Sequence, residues 1–190
     1  MKNKIKKIIR ENEGVNSSLL SKEVLKTIED AARRIIRAIK NGCKVIVFGN
    51  GGSAADSQHM VAELIGRFKK ERKAIPALSL TTNTSSLTAL SNDYSYDIIF
   101  RRQLEALAKE GDIAIGISTS GMANNVIEAL TAAKGMGLET LALTGKDGGR
   151  VDSIADLSIV VRSHNTARIQ EAHILIIHIL CELIEEGISR

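Results

Sequence analysis

Five short apolar runs limit the folds open to this chain: KVIVFGN (44–50), IPALSL (75–80), DIAIGIST (112–119), ETLALTG (139–145) and LSIVVRS (157–163). They are continuous rather than alternating in polarity and rich in β-branched residues, which suits strands covered on both faces. Between most of them lie segments with helical period, AADSQHMVAELIGRF (54–68), YDIIFRRQLEALAKEG (96–111) and ANNVIEALTAAKGMG (123–137), each ending near a glycine. Strands that alternate with helices predict βαβ units and a mainly parallel, doubly wound sheet of five strands, so an α/β fold with helices on both faces. At 190 residues and 44% hydrophobic content, one domain over 1–190 is expected, because two independent cores would be crowded.

Two helical segments bracket this repeat. Residues 16–41 place Leu20, Val24, Ile28, Ala31, Ile35 and Ile39 on one seam, and residues 166–186 carry a second, more apolar helix. The first segment also carries Leu19, Leu25, Ala32 and Ile36, more apolar surface than one sheet face covers. Packing between subunits is the inference, with burial inside one subunit as the alternative. A net charge of +4 invites a nucleic-acid partner, but only 3% of residues are aromatic and bases are interleaved with acids. KNKIKK is the one local basic run and reads as a solvated helix end, so no nucleic acid is expected. Cys43 and Cys181 have no paired spacing, which argues against a disulfide framework or a thiolate metal site and for a cytoplasmic protein. The longest apolar run, HILIIHILC (173–181), is broken by a histidine and too short for a bilayer, so no membrane association is expected.

In open parallel sheets ligands bind where loops leave the carboxyl ends of the strands. Four loops qualify: GNGGS (49–53), TTNTSS (81–86), STSG (118–121) and TGKDGG (144–149). Ser118, Thr119 and Ser120 before a helix offer hydroxyls and free N–H groups to an anion, although ordinary N-capping would need only one of them. GNGGS lacks the lysine and hydroxyl ending of a P-loop and is not GxGxxG, but its glycines admit close approach to the backbone. His59 and Glu63 share one helical face, as an exposed polar pair or as groups that bind a metal or a substrate. In the last helix His178 sits among Ile and Leu and needs a hydrogen bond, a ligand or neutrality. Gln170, two turns earlier, shares its broad face, whereas His173 points elsewhere and reads as structural or as a subunit contact.

Taken together, GNGGSAADSQHMVAEL (49–64), SNDYSYD (91–97), GISTSG (116–121), LTGKDGG (143–149) and RIQEAHILIIHIL (168–180) resemble the phosphoheptose isomerases of the sugar isomerase (SIS) domain superfamily. The resemblance implies a three-layer αβα SIS domain, with an N-terminal helical segment (1–41) serving oligomerisation and a core over 42–190, assembled as a homotetramer with active sites at subunit interfaces. It implies isomerisation of sedoheptulose 7-phosphate to D-glycero-D-manno-heptose 7-phosphate through an enediolate, in the making of ADP-heptose precursors. One zinc ion per subunit is implied on His59, Glu63, Gln170 and His178, with Glu63 as base and His178 as acid. Asn50, Gly51, Gly52, His59, Glu63, Asn92, Asp93, Ser118, Thr119, Ser120 and Gln170 are the implied substrate contacts.

One departure stands out: the family's TSGNS or TSGKS reads TSGMA here, so Ala123 lacks a hydroxyl and either phosphate affinity falls or Asn124 compensates. No catalytic carboxylate is expected near Thr166 and Ala167. The alternatives are a non-catalytic SIS protein that binds the replication initiator, a phosphosugar-binding regulatory module, and isomerisation of a different phosphosugar, which the Ala123 departure leaves open. Retention of both Glu63 and His178 favours the enzyme.

Overall fold

A computed structural model describes residues 1–188. In chain order the elements are α1 (Lys2–Ser18), α2 (Lys22–Lys40), β1 (Val45–Gly49), α3 (Gly52–Ile65), β2 (Ala77–Ser79) and α4 (Thr84–Asp93), then a 3-10 turn (Tyr96–Ile98) running into α5 (Ile99–Leu107). They continue with β3 (Ile113–Ser118), α6 (Asn124–Gly135), β4 (Glu139–Gly145), α7 (Gly149–Ile154), β5 (Leu157–Val161) and α8 (Thr166–Ile188). All five apolar runs become strands of one parallel sheet in the order β2-β1-β3-β4-β5. The run IPALSL shrinks to three strand residues: Pro76 has no N–H for the ladder and joins it only by accepting from the Val45 N–H.

Alternation along the strands builds two hydrophobic clusters. Val45 and Val47 face α2, α3 and α8, in a cluster with Ile35, Met60, Ile117 and Ile176. Ile46 and Phe48 face α5, α6 and α7, in a cluster with Phe100, Leu104, Leu130 and Val151. The result is the expected helix, sheet, helix sandwich.

The N-terminal segment differs from the expectation. A helix beginning near residue 16 is replaced by two, because Ser21 caps a new start by accepting from the Val24 N–H, which buries Leu19 and turns Leu20 outward at 72% exposure. The seam of α2 packs inside the subunit, with Ile28, Ala31 and Ile35 buried; of the surplus apolar residues, Leu19 and Ala32 are buried too and Leu25 is exposed. Helix α1 has no fully buried residue and leaves Ile5, Ile8 and Ile9 exposed. It is held to α8 by the Arg168 guanidinium, which donates to the Ile8 carbonyl, and by Asn12, which donates to Glu171. Helix α4 was not legible in the sequence either; its first turn depends on Asn83, whose side chain accepts from the Ser86 N–H, and not on an apolar stripe.

Candidate active site

The strand order places the switch point between β1 and β3, where the following helices leave on opposite faces and open a crevice. A small cavity of about 120 Å³ lies there, lined by Asn50, Ser53, Ile117, Ser118, Thr119, Ser120 and Ala123. Two helix N-termini, those of α3 and α6, follow its loops, and neither has a side-chain cap or an acidic residue in its first turn. Their N–H groups and dipoles therefore favour an anion without any fixed cation. Ser120 shapes the loop by accepting from the Met122 N–H, while Ser118 and Ser120 hydroxyls stand 3.5 Å apart. Ala123 lines the cavity as expected; Asn124 is exposed and is not among its lining residues, so it does not replace the missing hydroxyl.

The other two loops have structural roles. Asn83 of TTNTSS caps α4, and Thr81 joins Ser57 and Ser79 in a buried hydroxyl cluster. In TGKDGG, Gly148 and Gly149 press against Gly121 so closely that a Cβ on Gly121 would overlap the Gly148 carbonyl. Gly121 also has a φ of +65°, so the turn of the anion loop requires glycine on both counts.

Helices α3 and α8 run side by side in the same direction and meet at three levels. At the first, the Gln170 amide fills the space left by the absent Gly52 side chain. At the second, His178 Nε2 lies 3.0 Å from His59 Nε2, which in turn lies 3.3 Å from a Glu63 carboxylate oxygen. At the third, Glu185 meets the loop that follows α3. On α3 the core stripe is Ser53, Ser57, Met60 and Leu64, so His59 and Glu63 occupy the flank that faces α8. The structure thus brings His59, Glu63 and His178 together. Gln170 stands eight positions before His178, on the order of 12 Å along the axis, and contacts the Gly52 level instead.

The electrostatics of the trio are specific. One imidazole nitrogen, from His178, and one carboxylate oxygen, from Glu63, flank His59 Nε2, and with neutral rings a single proton on that nitrogen must serve both neighbours. Such a group of lone pairs suits a cation, and oxygen and nitrogen donors sharing a zinc at about 2.0–2.2 Å would stand roughly 3.3 Å apart. Among the described residues no three His, Cys, Asp or Glu side chains form a ready coordination set, so the fit rests on donor type and pairwise spacing. Asp56, one turn before His59, adds to the field: burial pushes its carboxyl up to about 6 against the opposing pull of His59, and its Oδ2 has no hydrogen-bond partner.

Several residues with site roles were not singled out from sequence. The Asn50 amide exchanges two hydrogen bonds with buried Asn125 and accepts a third from the Tyr96 hydroxyl at 2.9 Å. Asn50 therefore holds the loop with most of its side chain, leaving one amide hydrogen and its backbone to a ligand. Asn92 and Asp93 sit exposed at the end of α4 and hydrogen-bond each other; they are tied to the cavity only through the segment that carries Tyr96. Phe68 lays its ring 5.6 Å from that of His178. Of the two late histidines, His173 is the one sealed in the core, with Nε2 donating to the Thr144 carbonyl, whereas His178 is part exposed.

Known proteins resemble this chain in both sequence and fold. A family model described as SIS domain matches residues 15–145. A phosphoheptose isomerase of Aquifex aeolicus is 53% identical over 186 residues, covering 98% of this chain and 97% of that relative. The solved phosphoheptose isomerase structure from Neisseria gonorrhoeae superposes with a TM-score of 0.92 at 39% identity, over 97% of this chain and 98% of that one. That from Francisella tularensis gives 0.93 at 34%, over 97% of each chain. With the switch-point cavity and the His59, Glu63 and His178 cluster in place, likeness on this scale means that the chain belongs to the SIS domain family and, within it, to the phosphoheptose isomerases.

Proposed function

We propose that this protein is an aldose–ketose isomerase that converts sedoheptulose 7-phosphate to D-glycero-D-manno-heptose 7-phosphate, a step toward ADP-heptose precursors. The observation that carries the reading is the apposition of His59, Glu63 and His178 across α3 and α8, on the helix that begins at the anion cavity. The phosphate is bound by Ser118, Thr119 and Ser120 with the N-termini of α3 and α6. The sugar hydroxyls fall to the Asn50–Gly52 backbone, to Asn92 and Asp93 and to Gln170, with the reacting carbons toward the trio.

Chemically, Glu63 takes the C1 proton as His178 protonates O2, giving an enediol-like intermediate. His178 then takes the O1 proton and Glu63 returns its proton to C2, so the carbonyl moves from C2 to C1 and both side chains regain their starting state. His59 orients Glu63, and Phe68 shields one side of His178 from water. A zinc ion would be held by His59, Glu63 and His178 and would supply Lewis acidity to the reaction, whereas the Gln170 carbonyl, expected as a fourth ligand, stands at the Gly52 level instead. The exposed isoleucines of α1 support a homotetramer, two free cysteines support a reducing, cytoplasmic setting, and the single sheet flanked by both clusters supports one SIS domain over 1–190.

Incubating the purified protein with sedoheptulose 7-phosphate, with and without added zinc, and following the aldose by NMR tests the reading. Product is expected, and a folded protein that yields none under either condition overturns it. Glu63→Gln is expected to lose at least about a hundredfold in kcat, the usual scale for a general base, while still binding the phosphosugar.

A further inference from the structure

The third meeting point of α3 and α8 contains charged groups that the reaction does not use. Arg72 and Glu185 form an ion pair at 3.2 Å with side chains only 6% and 2% exposed. A buried pair of this kind rarely adds net stability over well-packed apolar residues, because both ions lose their hydration. What it does supply is direction, and two of its contacts, the Glu63 carbonyl and the Phe68 N–H, belong to residues at the reaction centre.

Arg72 spreads its guanidinium over the end of α3. One terminal nitrogen donates to the Glu63 carbonyl at 2.7 Å, and the other to the carbonyls of Leu64, Gly66 and Lys73 at 2.8–3.2 Å. The last carbonyls of a helix have no partners within it, so a cation at this point both satisfies them and complements the negative end of the dipole. Glu185, on α8, accepts from three consecutive backbone N–H groups, those of Phe68, Lys69 and Lys70, at 2.8–3.1 Å. Burial alone would raise its carboxyl, but these N–H groups and Arg72 outweigh that and hold it below the usual range, so it is ionised at neutral pH.

We propose that Arg72 and Glu185 are positioning residues of the isomerase: they clamp the last turn of α3 and the loop after it onto α8, and thereby fix Glu63 and Phe68 against His178. The proposal rests on the assignment of Glu63 and His178 to the reaction centre. A point charge cannot reproduce the clamp, because only the planar fork of an arginine reaches the glutamate and the fan of carbonyls together.

The test compares Arg72→Met, Arg72→Lys and Glu185→Gln with the wild type, each confirmed to have the wild-type oligomeric state and assayed well below its melting temperature. Arg72→Met is expected to lower kcat at least about tenfold while KM for sedoheptulose 7-phosphate stays within about threefold, since the anion loop lies on β3 and α6. Arg72→Lys should fall between the two, and zinc affinity, measured by competition with a chromophoric chelator, should weaken at least about tenfold in Arg72→Met. A purely structural pair would lower the melting temperature and leave kcat and zinc affinity within about twofold of wild type, and that result overturns the proposal. If Arg72→Met does not fold, Glu185→Gln, which keeps the shape and loses the charge, is judged by the same criteria. A wild type without turnover sinks the functional reading alone, and the zinc comparison then still decides the clamp.

Discussion

His173 and His178 lie five positions apart on one helix and have opposite surroundings. His178 faces His59 and Glu63, whereas His173 is fully buried and bonded to the Thr144 carbonyl. Burial pushes the His173 imidazole down to about 4, against the opposing effect of that hydrogen bond. The unfolded chain therefore takes up a proton from about pH 6.5 downward while the folded one does not until about 4, so acidification across this window destabilises the fold. The full effect of one such group is on the order of 3 kcal/mol. Urea unfolding at fixed protein concentration should show wild type losing stability between pH 7 and pH 4.5 relative to His173→Gln by about 2–3 kcal/mol; parallel pH profiles would remove His173 as the cause. Helical spacing already put His178 on the face of Gln170 and turned His173 away from it; the neighbours across the interface supply the partners, His59 for one and the Thr144 carbonyl for the other.

At the scale of elements, the parallel course of α3 and α8 makes the site. Three levels, Gly52 with Gln170, His59 with His178, and the loop at 68–70 with Glu185, align residues over a hundred positions apart in sequence. Gly52 shows how tightly the first level is set. A methyl group there would overlap the end of the Gln170 side chain, which is flexible and would swing away with the helix intact. Gly52→Ala should therefore change stability by less than about 1 kcal/mol and yet lower kcat at least about tenfold by displacing Gln170. An enzyme of normal kcat carrying this substitution would take Gln170 out of the reaction. The helical periods of α3 and α8 were legible, because apolar residues recur along both. Helix α4 and the start of α2 were not, because single polar caps, Asn83 and Ser21, decide them.

On the scale of the whole molecule, α1 contributes little to the interior: only Val15 packs against the core. None of its residues is fully buried, and Ile5, Ile8 and Ile9 are exposed beside the lysines of the same helix. A run of this kind on a helix anchored to α8 by Arg168 is apolar surface in need of a neighbour. Replacing Ile5 and Ile9 together by glutamate should leave the fold intact and at least halve the assembly mass measured by light scattering. An assembly mass unchanged by these charges would remove α1 from any interface. If active sites lie at subunit boundaries, the dissociated form should lose turnover in parallel.

By itself the sequence determined the strands, the parallel sheet, the crevice loops and the pairing of His59 with Glu63, because these follow from hydrophobic period and short spacing, which act locally. Its motifs also carried the resemblance to the isomerases. Tertiary structure decided the remainder: that α2 buries its seam within the subunit while α1 lies outside, that Gln170 meets Gly52 and not the trio, that Asn50 is held by Asn125 and Tyr96, and that Arg72 and Glu185 close the end of α3. Each of these depends on which side chain another element presents across a few ångströms, and no local pattern in a chain encodes that.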